Sequence, residues 1–258
     1  MKTKKIAVQI NKGGTGKSTT SVNLAAGLAE KGKRVLLVDT DTQGHLAPML
    51  GVDPVNGLCE FVLGQRSFDE AAVEVRKNLH LLAGGRELAG LKQEISRQDV
   101  GSQYRLKEAL ETIEGKFDYV IVDTAPGWDS LNVNVLFYAD EVLTPINIEV
   151  LTLKSLTEFL ENLARIRKYK GQGESLRWKY ALPTFADRRV RKTSEVLEQL
   201  KEFVAQNYGE TILCEPIRYS VRLSEAPGFG QTIYEYAPGT NGARDYQTLS
   251  ERILKNGK

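Results

Sequence analysis

A mostly parallel, doubly wound α/β sheet with helices on both faces is the fold class this sequence predicts. Three observations carry that expectation. Short runs rich in Val, Ile and Leu recur without polar alternation, as strands covered on both faces should. Helical patterns stand between them, which suits parallel strands joined by crossovers. The first strand-to-helix junction holds a glycine-rich turn, Asn11-Lys12-Gly13-Gly14-Thr15-Gly16-Lys17-Ser18-Thr19.

The elements follow in order. Strands are expected at 6–10, 34–38, 79–82, 119–122, 141–145 and 178–183, and helices at 17–30, 103–114, 153–168, 193–206 and 243–254. Gly32, Gly115 and Gly209 follow three of the helical patterns, where a C-terminal stop belongs. The stretch 86–101 is polar and weakly patterned and reads as a surface excursion. With no internal repeat, low-complexity segment or long linker, residues 1–258 are expected to form a single domain.

Composition narrows the class. Of 258 residues, 41% are hydrophobic and 26% charged, which suits a water-soluble globular core. Two distant cysteines, Cys59 and Cys214, argue against a disulfide framework or a zinc site and fit a reducing cytoplasm. No apolar stretch approaches a membrane span, and the N-terminus runs straight into a strand rather than a leader. A net charge of +2 does not itself call for a nucleic-acid partner, so any such claim rests on local clustering.

The glycine-rich turn is where chemistry is expected. Backbone N–H groups in such a turn can wrap a phosphate, and the helix N-terminus adds positive potential. Lys17 would neutralise the terminal phosphates and the Ser18 hydroxyl would sit on Mg²⁺. A second cation, Lys12, stands just inside the loop, and Asn11 occupies the position of the usual first glycine. The run Lys12-Gly13-Gly14-x-x-Lys17-Ser18 resembles the deviant Walker A motif of the ParA/MinD ATPases, which are P-loop NTPases. That resemblance implies ATP and Mg²⁺ as cofactors, slow intrinsic ATP hydrolysis, and a dimer that sandwiches nucleotide. In such a dimer Lys12 would reach across to the partner's phosphates. Residues 12–19, Lys12, Gly13, Gly14, Thr15, Gly16, Lys17, Ser18 and Thr19, are the nucleotide-binding candidates.

Two further strand ends point to the same crevice, since ligands of such sheets bind beyond the carboxyl ends of the strands. The second strand ends in Asp39-Thr40-Asp41-Thr42-Gln43-Gly44, which is similar to the family's Asp-x-Asp-Pro-Gln-Gly segment with Thr42 in place of proline. By that resemblance Asp41 positions the attacking water and lies near the metal; capping of a turn or helix is the alternative for both aspartates. The strand ending in Asp123 has the Walker B arrangement, and Asp123 would hold Mg²⁺, which keeps much of its hydration and needs few carboxylates. The segment 144–149 resembles the family segment that ends the fifth strand, which implies for Glu149 an acid near the dimer interface; a solvated or helix-capping residue is the equal alternative, and Trp128 suits packing or a dimer surface. His45 and His80 are isolated and form no metal cluster.

Partner signals lie in the last third. Arg188-Arg189-Val190-Arg191-Lys192 places four cations in five residues, and Asp187 with Arg189 fits the family's Asp-x-Arg. The stretch from Pro216 through Arg218 and Arg222 to Pro227 is very similar to the ParA segment ending in "VRLSEAP". The resemblance implies that Arg189, Arg191, Lys192, Arg218 and Arg222 grip DNA without sequence preference, through counterion release. A merely solvated charged face is the alternative. Segments 183–187 and 216–218 are where the family binds adenine, so Pro216 and Arg218 are also nucleotide candidates. An ATP-dependent homodimer, non-specific DNA and a ParB-like adaptor are the implied partners, with a cytoplasmic location that becomes nucleoid-associated in the ATP state. The competing expectation is a MinD-like membrane-cycling ATPase, which needs an amphipathic C-terminal anchor. The 246–258 tail has a narrow apolar face without Phe or Trp and reads as a docked helix, not as a stable membrane anchor.

Overall fold

The computed structural model describes residues 2–97, 101–148, 153–171, 176–187 and 189–256. Seven strands form one sheet: β1 (Lys4–Val8), β2 (Val35–Asp39), β3 (Ala72–Arg76), β4 (Leu79–Leu82), β5 (Tyr119–Asp123), β6 (Glu141–Asn147) and β7 (Arg177–Thr184). Their order is β3-β4-β2-β5-β1-β6-β7. Every neighbouring pair is parallel except β3 with β4, a hairpin turned at Asn78, whose φ is +66°. The central strands are buried along their whole length, which explains their unbroken apolar runs.

The helices, in chain order, are α1 (Lys17–Glu30), α2 (Leu46–Met49), α3 (Leu58–Val62), α4 (Phe68–Ala71), α5 (Leu88–Arg97), α6 (Arg105–Glu111), α7 (Ser130–Tyr138), α8 (Leu153–Lys170), α9 (Arg191–Tyr208), α10 (Val221–Glu225), α11 (Ile233–Tyr236) and α12 (Asn241–Lys255). They cover both faces of the sheet. One core packs α3, α5, α6, α7, α8 and α9 against one face, and the other packs α1, α2, α11 and α12 against the opposite face. Gly27 allows α1 and α12 to touch, since a Cβ there would stand 2.4 Å from Ser250 Oγ.

The expected fold class is the observed one, with local corrections. The stretch 86–101 is not a simple excursion: α5 occupies most of it and buries Leu88, Leu91 and Ile95. The expected helix at 103–114 is divided into a short 3-10 turn at Ser102–Tyr104, α6, and a second 3-10 turn at Glu114–Lys116. Gly115 therefore lies within a turn, whereas Gly32 and Gly209 stop their helices with φ of +77° and +85°. Trp128 packs inward, stacked on Phe159 with ring centroids 5.8 Å apart. The C-terminal helix α12 buries Ala243, Tyr246, Leu249 and Ile253, so its apolar face is occupied by the protein itself. Among the described residues no helix is long and apolar enough to cross a membrane.

Candidate nucleotide site

β1 delivers the chain to the glycine-rich loop, and α1 leaves it. Gly14 and Gly16 take φ of +69° and +84°, the left-handed region that glycine enters without steric cost. The loop's carbonyls are held by donors from three neighbouring elements and from its own lysine. Gly127 N donates to Asn11 O at 3.0 Å, Asn147 Nδ2 to Gly14 O at 3.2 Å, and Thr184 Oγ1 to Thr15 O at 3.0 Å. Lys17 Nζ donates to Lys12 O at 3.1 Å. A loop whose carbonyls are engaged in this way keeps its N–H groups for an anion, at the positive end of α1.

The two lysines have opposite settings. Lys17 is 7% exposed, and burial lowers its pKa while Asp123 and Asp41 pull it back up. Lys12 is exposed at the rim. Facing them, Asp123 is wholly buried at the end of β5. Ser18 Oγ donates to its Oδ2 at 2.8 Å and Ser21 Oγ to its Oδ1 at 2.6 Å. Burial pushes the Asp123 carboxyl up to about 6, against the pull of those two hydroxyls and Lys17.

The β2 end carries the other two acids. Asp39 and Asp123 stand opposite one another in the β2–β5 register. Asp39 accepts from Asp41 N at 2.9 Å and from Leu46 N, the first residue of α2, at 3.1 Å. Its carboxyl is pushed up to about 7, first by burial and then by the neighbouring Asp123. Of the two roles left open for Asp39, capping is the one its contacts fill. Asp41 is half-buried and accepts from Gln43 N at 2.9 Å, closing the turn over Thr42. Gly84 presses on this turn from below: a Cβ there would stand 2.6 Å from Asp41 O and 2.8 Å from Asp39 Cγ.

Beside the loop lies a cavity of about 120 Å³ lined by Gly16, Thr19, Phe185, Ile217, Tyr219 and Tyr246. Arg218 borders it and also lines, together with Pro216, Asp187 and Asp245, a separate cleft of about 290 Å³. The base-side candidates thus divide: Arg218 edges the cavity next to the phosphate loop and Pro216 does not. Phe185 holds a φ of +58°, unusual for an aromatic residue, with its ring 3.7 Å from where a Gly16 Cβ would be.

A protein-family model described as an AAA domain matches residues 3–176. The sporulation initiation inhibitor protein Soj of Bacillus subtilis is 34% identical over 257 residues, covering 98% of each chain. The chromosome-partitioning ATPase Soj of Thermus thermophilus is 36% identical, over 98% of this chain and 96% of its own. The chain belongs to the ParA/MinD family of ATPases. Among solved structures, cobyrinic acid a,c-diamide synthase from Mycobacterium smegmatis with bound ADP and magnesium superposes with a TM-score of 0.82 at 31% identity, covering 98% of this chain and 95% of that one. This family member is accordingly an ATP hydrolase that uses ATP and Mg²⁺. The donor set fits that metal: a hydroxyl and a carboxylate oxygen are hard oxygen ligands. Among the described residues no cluster of His, Cys, Asp and Glu suits a different ion.

The cationic candidates are brought to one end of the sheet. An isolated bridge pairs Ala186 with Arg218, and Tyr219 N donates to Ala186 O at 3.1 Å, so the segment before α9 and the segment before α10 run side by side. Arg189 pairs with Asp187 at 2.7 Å, Arg191 with Glu195 at 2.8 Å and Arg222 with Glu225 at 2.8 Å. These guanidinium groups are 85%, 93% and 56% exposed, so the pairs are weak. Lys192 is also exposed. Arg218 differs. It grips Asp245 through Nε and Nη2, its backbone N donates to the same carboxylate, and Asp245 is only 11% exposed. Its guanidinium, 39% exposed, holds α12 to the 216–218 segment. Glu149 and Arg188 lie outside the described residues.

Proposed function

We propose that this ATPase is a ParA-like positioning machine. ATP joins two copies face to face, each Lys12 completing the phosphate site of the other. The joined dimer binds DNA without sequence preference through Arg189, Arg191, Lys192 and Arg222, and hydrolysis releases it. In the reaction a water oxygen bonds to the γ-phosphorus, the bond from that phosphorus to the bridging oxygen breaks, and ADP and phosphate leave. Asp41 orients the water; Lys17 and the loop N–H groups hold the phosphate charge. Bound Mg²⁺ supplies further charge neutralisation, and Ser18 and Asp123 are the residues that would hold it. A ParB-like adaptor stimulates the slow intrinsic turnover and couples the cycle to a DNA or protein cargo.

One observation carries this reading: a single phosphate loop holds one buried lysine, Lys17, and one exposed lysine, Lys12. The buried one serves its own site, and the exposed one sits where a facing copy could use it. The relatives named for chromosome partitioning support the DNA-linked role over a membrane-cycling one, as does the burial of the apolar face of α12. The test is Asp41→Ala, which removes water positioning and leaves the cradle. Size-exclusion chromatography with ATP and Mg²⁺ is expected to give a stable dimer, and a monomer under saturating ATP would count against the face-to-face assembly.

A further inference from the structure

The segment that carries Asp41 and the segment that carries Arg222 meet directly, although 180 residues of sequence separate them. The turn after Asp41 leads into α2, which is followed by Leu50-Gly51. The helix α10 leads through a 3-10 turn, Ala226–Phe229, to Gly230. Gly51 and Gly230 both have positive φ, +73° and +64°, and they touch backbone to backbone: a Cβ on Gly230 would stand 2.6 Å from Gly51 Cα. No side chain fits between them.

One guanidinium fastens this contact from the side. Arg76, at the end of the edge strand β3, donates from Nη1 to Leu50 O at 3.2 Å and from Nη2 to Gly230 O at 2.9 Å. Its Nε and Nη2 are gripped by Glu235 on α11 at 2.5 and 3.1 Å. The next residue, Tyr236, continues the chain of contacts. Its hydroxyl donates to Glu225 Oε2 at 3.1 Å, and the same oxygen accepts from Arg222 Nη1 at 2.8 Å. Tyr236 is also stacked on Phe229, with centroids 5.1 Å apart. A continuous path therefore runs from Leu50, the residue that follows α2, through Arg76, Glu235, Tyr236 and Glu225 to Arg222.

We propose that Arg76 and Tyr236 are positioning residues that couple the nucleotide-sensing Asp41 segment to the presentation of Arg222. This inference rests on the DNA-gripping function proposed above and assigns its transmission route. The planar fork of Arg76 engages three main-chain carbonyls, those of Leu50, Gly230 and its own neighbour Val75, and one carboxylate at once, so the chain at Leu50 cannot shift along Gly230 without straining or exchanging those bonds. A displacement of α2 is thereby converted into a displacement of α10. The Arg222–Glu225 pair is half exposed and weak, so a small shift of Glu225 is enough to release or retain the Arg222 charge for phosphate.

The test uses Arg76→Gln and Tyr236→Phe in the full chain. For each, the affinity for a random-sequence DNA duplex is measured with a non-hydrolysable ATP analogue and with ADP, together with the affinity for the analogue itself. The parent is expected to bind DNA more tightly in the ATP-analogue state. In both variants that ratio is expected to fall at least about fivefold, the lower end of typical coupling between sites, while analogue affinity stays within about twofold. General structural damage would instead lower analogue binding or weaken both DNA affinities alike. Tyr236→Phe removes a single hydroxyl from a ring that stays stacked, so it carries the test should Arg76→Gln not fold. An unchanged ratio in Tyr236→Phe, with the parent ratio intact, overturns the coupling route alone. A parent ratio of one overturns the route and the proposed DNA cycle together.

Discussion

Replacing Ser21 by alanine tests the electrostatics of the site more sharply than replacing any residue of the phosphate loop. Ser21 is fully buried on α1, and its hydroxyl gives Asp123 Oδ1 one of that carboxylate's two hydroxyl donors, at 2.6 Å. It lies 3.1 Å from Lys17 O as well, an ordinary helix-interior contact. The Asp123 carboxyl is raised from 3.8 to about 6 by burial. Ionisation therefore costs the folded state: the contribution of this group to stability is fully present below about pH 3.8 and is lost as pH rises through about 6. The Ser21 bond limits that loss, because a hydrogen bond to a charged acceptor is worth about 1.5–3 kcal/mol against about 1 kcal/mol for a neutral one. In metal-free, nucleotide-free protein, Ser21→Ala should cost about 1 kcal/mol at pH 5, where Asp123 is mostly protonated. At pH 8, where it is ionised, the cost should rise to about 2–3 kcal/mol. Urea unfolding of parent and variant at both pH values with a chelator present gives the difference directly, and titrations elsewhere cancel between the two proteins. A cost that is equal at the two pH values would refute the assignment of Ser21 to the ionised carboxylate.

Other perturbations separate building from function. Gly84→Ala should lower stability by about 1–3 kcal/mol, because its methyl would overlap Asp41 O and Asp39 Cγ, and thermal melts with parallel turnover assays would show both losses. Lys12→Ala should leave the nucleotide-free protein folded, as melting curves would show, while abolishing adaptor-stimulated ATP turnover; normal stimulated turnover would remove its role across the dimer. Arg218→Ala should cost about 1 kcal/mol of stability through loss of the Asp245 pair, whereas Arg189→Ala with Arg222→Ala should leave stability unchanged and flatten the salt dependence of DNA binding.

The parts of the site that were legible in the sequence are those whose chemistry is contiguous. The phosphate loop, Asp123 at the end of an apolar strand and the Asp39–Asp41 turn are each written in fewer than ten consecutive residues, and the fold brings all of them to the carboxyl edge of β1, β2 and β5. What escaped sequence reading is chemistry that depends on long-range placement. Ser21 is one of several hydroxyl residues at the start of α1, and only the packing of β5 against that helix singles it out. The cation of Arg218 looked like its neighbours until the fold set Asp245 against it. Helix α7 is buried nearly all round, Asn132 and Asn134 included, and so gives no helical period to read, although Asp129 caps it by accepting from Asn132 N at 2.8 Å. Helix α5 does carry apolar residues at 88, 91 and 95, but Gly90 and the surrounding charges diluted the pattern.

The three aspartates at this edge show how environment divides labour among identical side chains. Asp39 is buried beside Asp123 and accepts from two backbone N–H groups, so its oxygens build the turn and the start of α2. Asp123 is equally buried, yet its donors are hydroxyls, which can rotate to other partners. Asp41 has one oxygen in the turn and stands half-buried at the crevice, the setting that suits a group meeting water and phosphate. Burial alone would have ranked Asp39 and Asp123 together and set Asp41 apart. The nature of each donor makes the finer distinction: backbone N–H groups fix a carboxylate permanently, whereas serine hydroxyls hold one that has to change partners.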